Sequence, residues 1–265
     1  MANILRYSIC REVIFLKKVS VLKVADKKER TRDLIKYLDR GMYDLVIAKN
    51  SKRAIKKIAK MSKGQIIAIN NNSKELISQK GGVRKYSELS NECVLAVIEK
   101  TCREIAVKYG FQLPLEDLYI YAPTSKAYEY VEKLIGLSRI FTIVSDEPPG
   151  EVADSLYFEF GCLLRHVRKS ELKICDETIS IFLDENGVVN SPIINISKRE
   201  FREKQTIDIG RIAVCDNEVK EIAQDLSCVS GLVLCTLFGK VPGKDANVDI
   251  NKTADSIFVL DTKGI

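Results

Sequence analysis

The chain has 265 residues, of which 46% are hydrophobic and 29% charged, an ordinary globular composition that excludes wholesale disorder. Its charge is divided: residues 1–86 hold 22 Lys and Arg against 7 Asp and Glu, a formal +15, while the remaining residues hold 20 against 29, or −9, giving the overall +6. Arg6, Arg11 and Glu12 interrupt the apolar start, which argues against a signal peptide, and no run of about 18 apolar residues exists for a membrane-spanning helix, so a cytoplasmic protein is expected.

In chain order, residues 19–25 (VSVLKVA) read as a strand. Residues 27–40 (KKERTRDLIKYLDR) follow as a helix with Leu34, Ile35 and Leu38 on one face. A strand at 44–49 (DLVIAK) leads to Ser51 as N-cap of a helix over 51–62, with Ile55, Ile58, Ala59 and Met61 apolar, and then to a strand at 65–70 (QIIAIN). Strands joined by helices of this length predict a small parallel α/β domain over residues 1–86. The segment before Val19 has room for an extra hairpin.

The Gly pair and basic residues of 79–86 (QKGGVRKY) mark a boundary, followed by a connecting helix within 87–110. In that helix Val94, Ile98, Thr101, Cys102, Ile105 and Tyr109 recur at spacings of three and four. Residues 111–265 resume the alternation: strand 117–122, helix 125–135, strand 139–144, helix 149–160, strand 162–167 and strand 178–183. A turn at Asn186-Gly187, strands at 193–196 and 207–214, a helix at 217–226, an apolar run at 231–238 and a last strand near 256–260 complete it. The fold class expected is therefore α/β in two domains, the second Rossmann-like with a mostly parallel sheet covered on both faces and lacking the GxGxxG loop.

The Rossmann-like rhythm raises a nucleotide or NAD(P) site. Thr124, Ser125 and Lys126 at a helix start offer hydroxyls, free N–H groups and an ammonium to a phosphate, and Asp146 at the end of the next strand is placed for ribose hydroxyls. The turn Ala122-Pro123-Thr124 has no glycine, so the usual cradle is missing and an ordinary helix cap accounts for the same residues. Residues 239–245 (GKVPGKD) resemble a P-loop, but Phe238 stands where its first glycine belongs and Asp245 where its hydroxyl belongs. They read as a turn.

His166 is the single histidine and is read as structural or exposed rather than catalytic; GxSxG is absent, and Asp184 with Glu185 makes no convincing carboxylate pair. Eight cysteines without a CxxC read as buried thiols, with no metal site expected. The stronger lead is the basic helix: Lys52, Arg53, Lys56, Lys57, Lys60 and Lys63 form its polar side, which suits a polyanion such as nucleic acid or an acidic protein surface, the acidic C-terminal domain of the same or a neighbouring subunit included. The function expected is binding through the basic N-terminal domain. The alternative is an enzyme using a nucleotide cofactor in an unconventional Rossmann-like site.

Overall fold

The computed structural model describes residues 19–25, 34–41, 43–61, 65–69, 71–78, 82–86, 89–149, 157–172, 177–183, 192–198, 201, 205–215, 231–243, 245–254 and 258–260. The fold is α/β with mixed sheets. By contacts the chain divides into two compact units, residues 1–84 with 258–265, and residues 85–257.

The first unit is built on a six-stranded sheet in the order β2-β3-β1-β4-β14-β5. Its strands are β1 (Val19–Val24), β2 (Ile35–Asp39), β3 (Asp44–Ala48), β4 (Ile66–Ile69), β5 (Val83–Lys85) and β14 (Phe258–Leu260). β1 is parallel to β3 on one side and to β4 on the other, with Leu22 opposite both Val46 and Ile69. Such central strands are buried on both faces: Val21, Leu22, Val46, Ile67 and Ala68 have no exposed surface. Two helices, α1 (Lys52–Met61) and α2 (Asn71–Ser78), close one core with Ala54, Ile55, Ile58 and Ile77 packed on Leu22, Val46 and Ile67.

Two expectations are corrected here. The helix predicted over 27–40 is a strand where it is described: β2 pairs antiparallel with β3 from Ile35–Ala48 to Asp39–Asp44. Leu34, Ile35 and Leu38 fit a helical stripe, but the turn at the end of that stretch decides the outcome. Gly41 stands at φ +78°, its N–H donates to Asp39 Oδ1 at 2.7 Å, and the Arg40 N–H donates to Tyr43 O at 3.0 Å. That turn returns the chain along β2, where Tyr37 contributes to the core and its hydroxyl donates to Met61 Sδ at 3.3 Å. Second, the sheet expected to be parallel is mixed, because β2 and β14 both run antiparallel to their neighbours. The last strand thus belongs to the first unit's sheet. Residues 1–18 and 27–33 lie outside the described residues.

The second unit centres on a six-stranded sheet in the order β11-β10-β9-β6-β7-β8. Its strands are β6 (Leu115–Tyr121), β7 (Ser138–Val144), β8 (Leu163–Val167), β9 (Thr178–Phe182), β10 (Ile193–Ser197) and β11 (Gln205–Asp208). β6, β7, β8 and β9 are parallel, while β10 and β11 turn antiparallel, so the sheet is mostly parallel. α4 (Thr124–Leu134) crosses from β6 to β7 and buries Ala127, Tyr130, Val131 and Leu134. The long α3 (Asn91–Tyr109) buries Val94, Ile98, Thr101, Cys102 and Ile105, the stripe read from the sequence, and ends at Gly110 with φ 70°.

α3 packs against α5 (Gly231–Phe238) and against β13 (Asn247–Thr253), which pairs antiparallel with β12 (Ile212–Cys215). The P-loop-like residues 239–243 leave the carboxyl end of α5, where Gly239 has φ +65° and the Lys240 N–H donates to Cys235 O at 2.8 Å. A helix C-terminus presents carbonyls rather than N–H groups, so this turn cannot cradle a phosphate. Among the described residues no helix is long and apolar enough to cross a membrane. The predicted turn at 186–187, the Asp184–Glu185 pair and the predicted helix at 217–226 lie outside the described residues.

Candidate functional sites

In the first unit, α1 begins at the cap Ser51, whose Oγ accepts from the Ala54 N–H at 3.2 Å. Ala54, Ile55, Ile58 and Ala59 are buried, whereas Lys52, Arg53, Lys56, Lys57 and Lys60 are all exposed. Lys63 lies outside the described residues. Among the described residues none of these five cations makes an ion pair. The arrangement is locally unfavourable twice over. Lys52 and Arg53 occupy a first turn with no acidic residue, at the positive end of the helix dipole. Lys52 with Lys56, Arg53 with Lys57, and Lys56 with Lys60 are like-charge pairs at i, i+4, each costing about 0.2–0.5 kcal/mol. With its apolar face used by the sheet core, α1 has no spare hydrophobic surface for a bilayer.

In the second unit the strand order creates a reversal. The chain passes from β6 to β7 to β8 on one side and then returns to place β9 on the other side of β6. Open α/β sheets hold ligands beyond the carboxyl ends of strands at such a switch. At this one, Tyr121 and Phe182, register partners at the ends of β6 and β9, stack with centroids 4.0 Å apart and planes at 14°. Burial raises the Tyr121 phenol above its ordinary value.

Thr124 opens α4 beside them and is buried. Its N–H donates to Glu147 Oε2 at 2.7 Å, and its Oγ1 lies 3.2 Å from His166 Nε2. Glu147 is held in turn by its own N–H donating to Ser145 Oγ at 3.2 Å, while the Ser145 N–H donates to Val167 O at 3.1 Å. Three strand ends are tied together by these bonds. Burial lowers the His166 pKa, which favours the neutral ring.

Of the candidate cofactor residues, Thr124 lies at the centre of this cluster, Ser125 is exposed and Lys126 half-buried on the first turn of α4. Asp146 is exposed after β7, where its Oδ1 accepts from the Lys169 N–H at 3.4 Å. Among the described residues it makes no hydrogen bond to Thr124, Ser125 or Lys126. The residue that sequence reasoning missed is Glu147. It sits at the N-terminus of α4, the place a phosphate would take. Only its sequence neighbours were available as a signal, and they give no hint of α4.

A further pattern crosses the sheet. Arg165, Thr142, Tyr119, Ser180, Asn195 and Thr206 are register partners in one row through all six strands. Thr142 Oγ1 donates to the Asp117 carboxylate at 2.9 Å, Arg165 Nη1 reaches Asp117 Oδ2 at 3.1 Å, and Thr206 Oγ1 donates to Asn195 Oδ1 at 3.0 Å. Desolvation raises the Asp117 pKa, and the bonds from Thr142 and the Arg165 charge work against it.

No protein-family model and no curated protein matches the chain. Among the described residues no group of three or more His, Cys, Asp or Glu is placed to hold a metal ion.

Proposed function

We propose that the chain is a cytoplasmic binding protein whose basic first unit engages an anionic partner, with the phosphate backbone of a nucleic acid as the favoured chemistry. In this reading the two compact units act as separate domains, the second Rossmann-like. The observation that carries it is the exposed cationic face of α1: Lys52, Arg53, Lys56, Lys57 and Lys60, unpaired among the described residues, on a helix whose own stability suffers from their placement. Local choices that work against the fold mark functional positions, and a polyanion relieves both the repulsion and the dipole conflict.

The test is duplex DNA binding measured across salt. Engagement of three to five cations predicts a log–log slope of about −3 to −4.5, and changing Lys56, Lys57 and Lys60 to Glu removes about 3 from its magnitude. An unchanged slope in that variant defeats the reading. Binding to polyglutamate but not to DNA transfers the site to an acidic protein surface.

A second reading, a nucleotide-dependent enzyme, draws on the Tyr121–Phe182 stack at the sheet's switch point. Glu147 weighs against it, because a phosphate at the start of α4 would meet a carboxylate already bonded there. Thermal stabilisation by NAD, NADP or ATP, about 2.7 kcal/mol at 100 times the dissociation constant, would promote it.

A further inference from the structure

We infer that β8 and the helical residues 157–160 before it form a docking edge for an extended peptide alternating apolar and acidic side chains. Among the described residues β8 ends the six-stranded sheet, with β7 on one side only. Val167 O accepts from the Ser145 N–H, so by the alternation of a parallel pair the N–H and C=O groups of Leu164 and His166 are directed away from β7. An edge of this kind is a template for another strand.

The apolar contribution lies immediately before it. Tyr157, Phe158, Phe160 and Leu163 are 53%, 83%, 47% and 47% exposed. Grouped exposed aromatics of this kind mark interaction surfaces. Gly161, at φ +66°, with its N–H donating to Tyr157 O at 2.9 Å, closes this turn at the head of β8.

Charge selects the partner. Residues 163–169 (LLRHVRK) carry three cations and no carboxylate within a part of the chain that is otherwise net acidic. Arg168 is exposed, and Arg165 spends one donor on Asp117 and keeps others of its guanidinium for a ligand carboxylate. An acidic peptide is thus attracted to this edge. A second copy pairing antiparallel about Arg165 would set that cation against itself, which favours a peptide in the manner of strand addition.

The experiment uses the whole chain and a fluorescein-labelled peptide of alternating valine and glutamate, followed by anisotropy, with a valine–lysine peptide as control. The expected result is saturable binding of the glutamate peptide alone, about tenfold weaker in Phe158→Ser and in Arg168→Glu. Leu164→Pro, which removes an outward N–H and leaves the ladder to β7 intact, should weaken it equally. Binding must persist when Lys56, Lys57 and Lys60 are Glu, which separates this edge from the α1 site. No saturable binding by about 1 mM overturns the inference, as does indifference to both surface variants. A concentration-dependent dimer abolished by Phe158→Ser overturns it as well, because the edge would then serve a second copy.

Discussion

The backbone N–H of Thr124 donates to Oε2 of Glu147 at 2.7 Å, so the first turn of α4 is capped by a carboxylate 23 residues further along the chain. The contact satisfies a helix-terminal donor, places a negative charge at the positive end of the dipole and ties the loop after β7 to the loop after β6.

Replacing Glu147 with Ala removes the cap. The expected cost is about 1 kcal/mol, a fall in melting temperature of roughly 2–4 °C, with Glu147→Gln retaining part of it. Sulfate should stabilise Glu147→Ala more than the parent, because the vacated N–H groups are a generic anion site. Equal melting temperatures for parent and Glu147→Ala would show that the bond contributes nothing.

On α1, Lys56 takes part in two like-charge pairs, with Lys52 and Lys60. Lys56→Glu turns both attractive and should raise stability at low salt by roughly 0.5–1 kcal/mol, fading as salt is added. Urea midpoints at two ionic strengths check this. A loss of stability would mean that Lys56 has a structural partner.

The single histidine gives an isolated proton-NMR titration. Burial sets the folded His166 pKa below its ordinary 6.5, so the native state binds fewer protons than the unfolded chain as the pH falls. Its stabilising contribution is complete above 6.5 and is lost as the pH drops from there through the folded value. Asp117 has the opposite sign: desolvation raises its folded pKa above 3.8, so protonation between those values favours the native state. The ring's midpoint should fall below 6.5, and His166→Gln should flatten the acid-side decline that begins near that pH. A midpoint at or above 6.5 contradicts the burial argument.

Burial pushes the fully enclosed Cys102 thiol up to about 12. Thiolate is the reactive form, so Cys102 should be alkylated by iodoacetamide only through opening of α3, far more slowly than in urea. Peptide mapping after timed labelling reads this directly. Rapid native labelling of Cys102 would place it at the surface.

At Gly41 a Cβ would meet nothing within 4 Å, so the backbone alone resists substitution. With φ at +78°, Gly41→Ala should cost about 1 kcal/mol and Gly41→Asn less. Chemical denaturation measures it. A neutral Gly41→Ala would mean that the turn after β2 relaxes freely.

Much of the architecture was readable along the chain. VSVLKV, DLVIA and IIAI are short apolar runs that suit a doubly buried strand, and α1 declares itself by Ser51 and by apolar residues at helical spacing. These are local signals, set by side-chain period and backbone preference over a few residues. Partnership is different. Residues 35–39 satisfy both periods, and β3 together with the Gly41 turn selects the strand. β14 reaches across the chain to pair with β4, the row from Arg165 to Thr206 takes one polar residue from each of six strands, and Glu147 finds Thr124 only once β6 and β7 lie side by side. Such contacts depend on which surfaces are buried together, a collective property of the folded chain that no window of neighbouring residues contains.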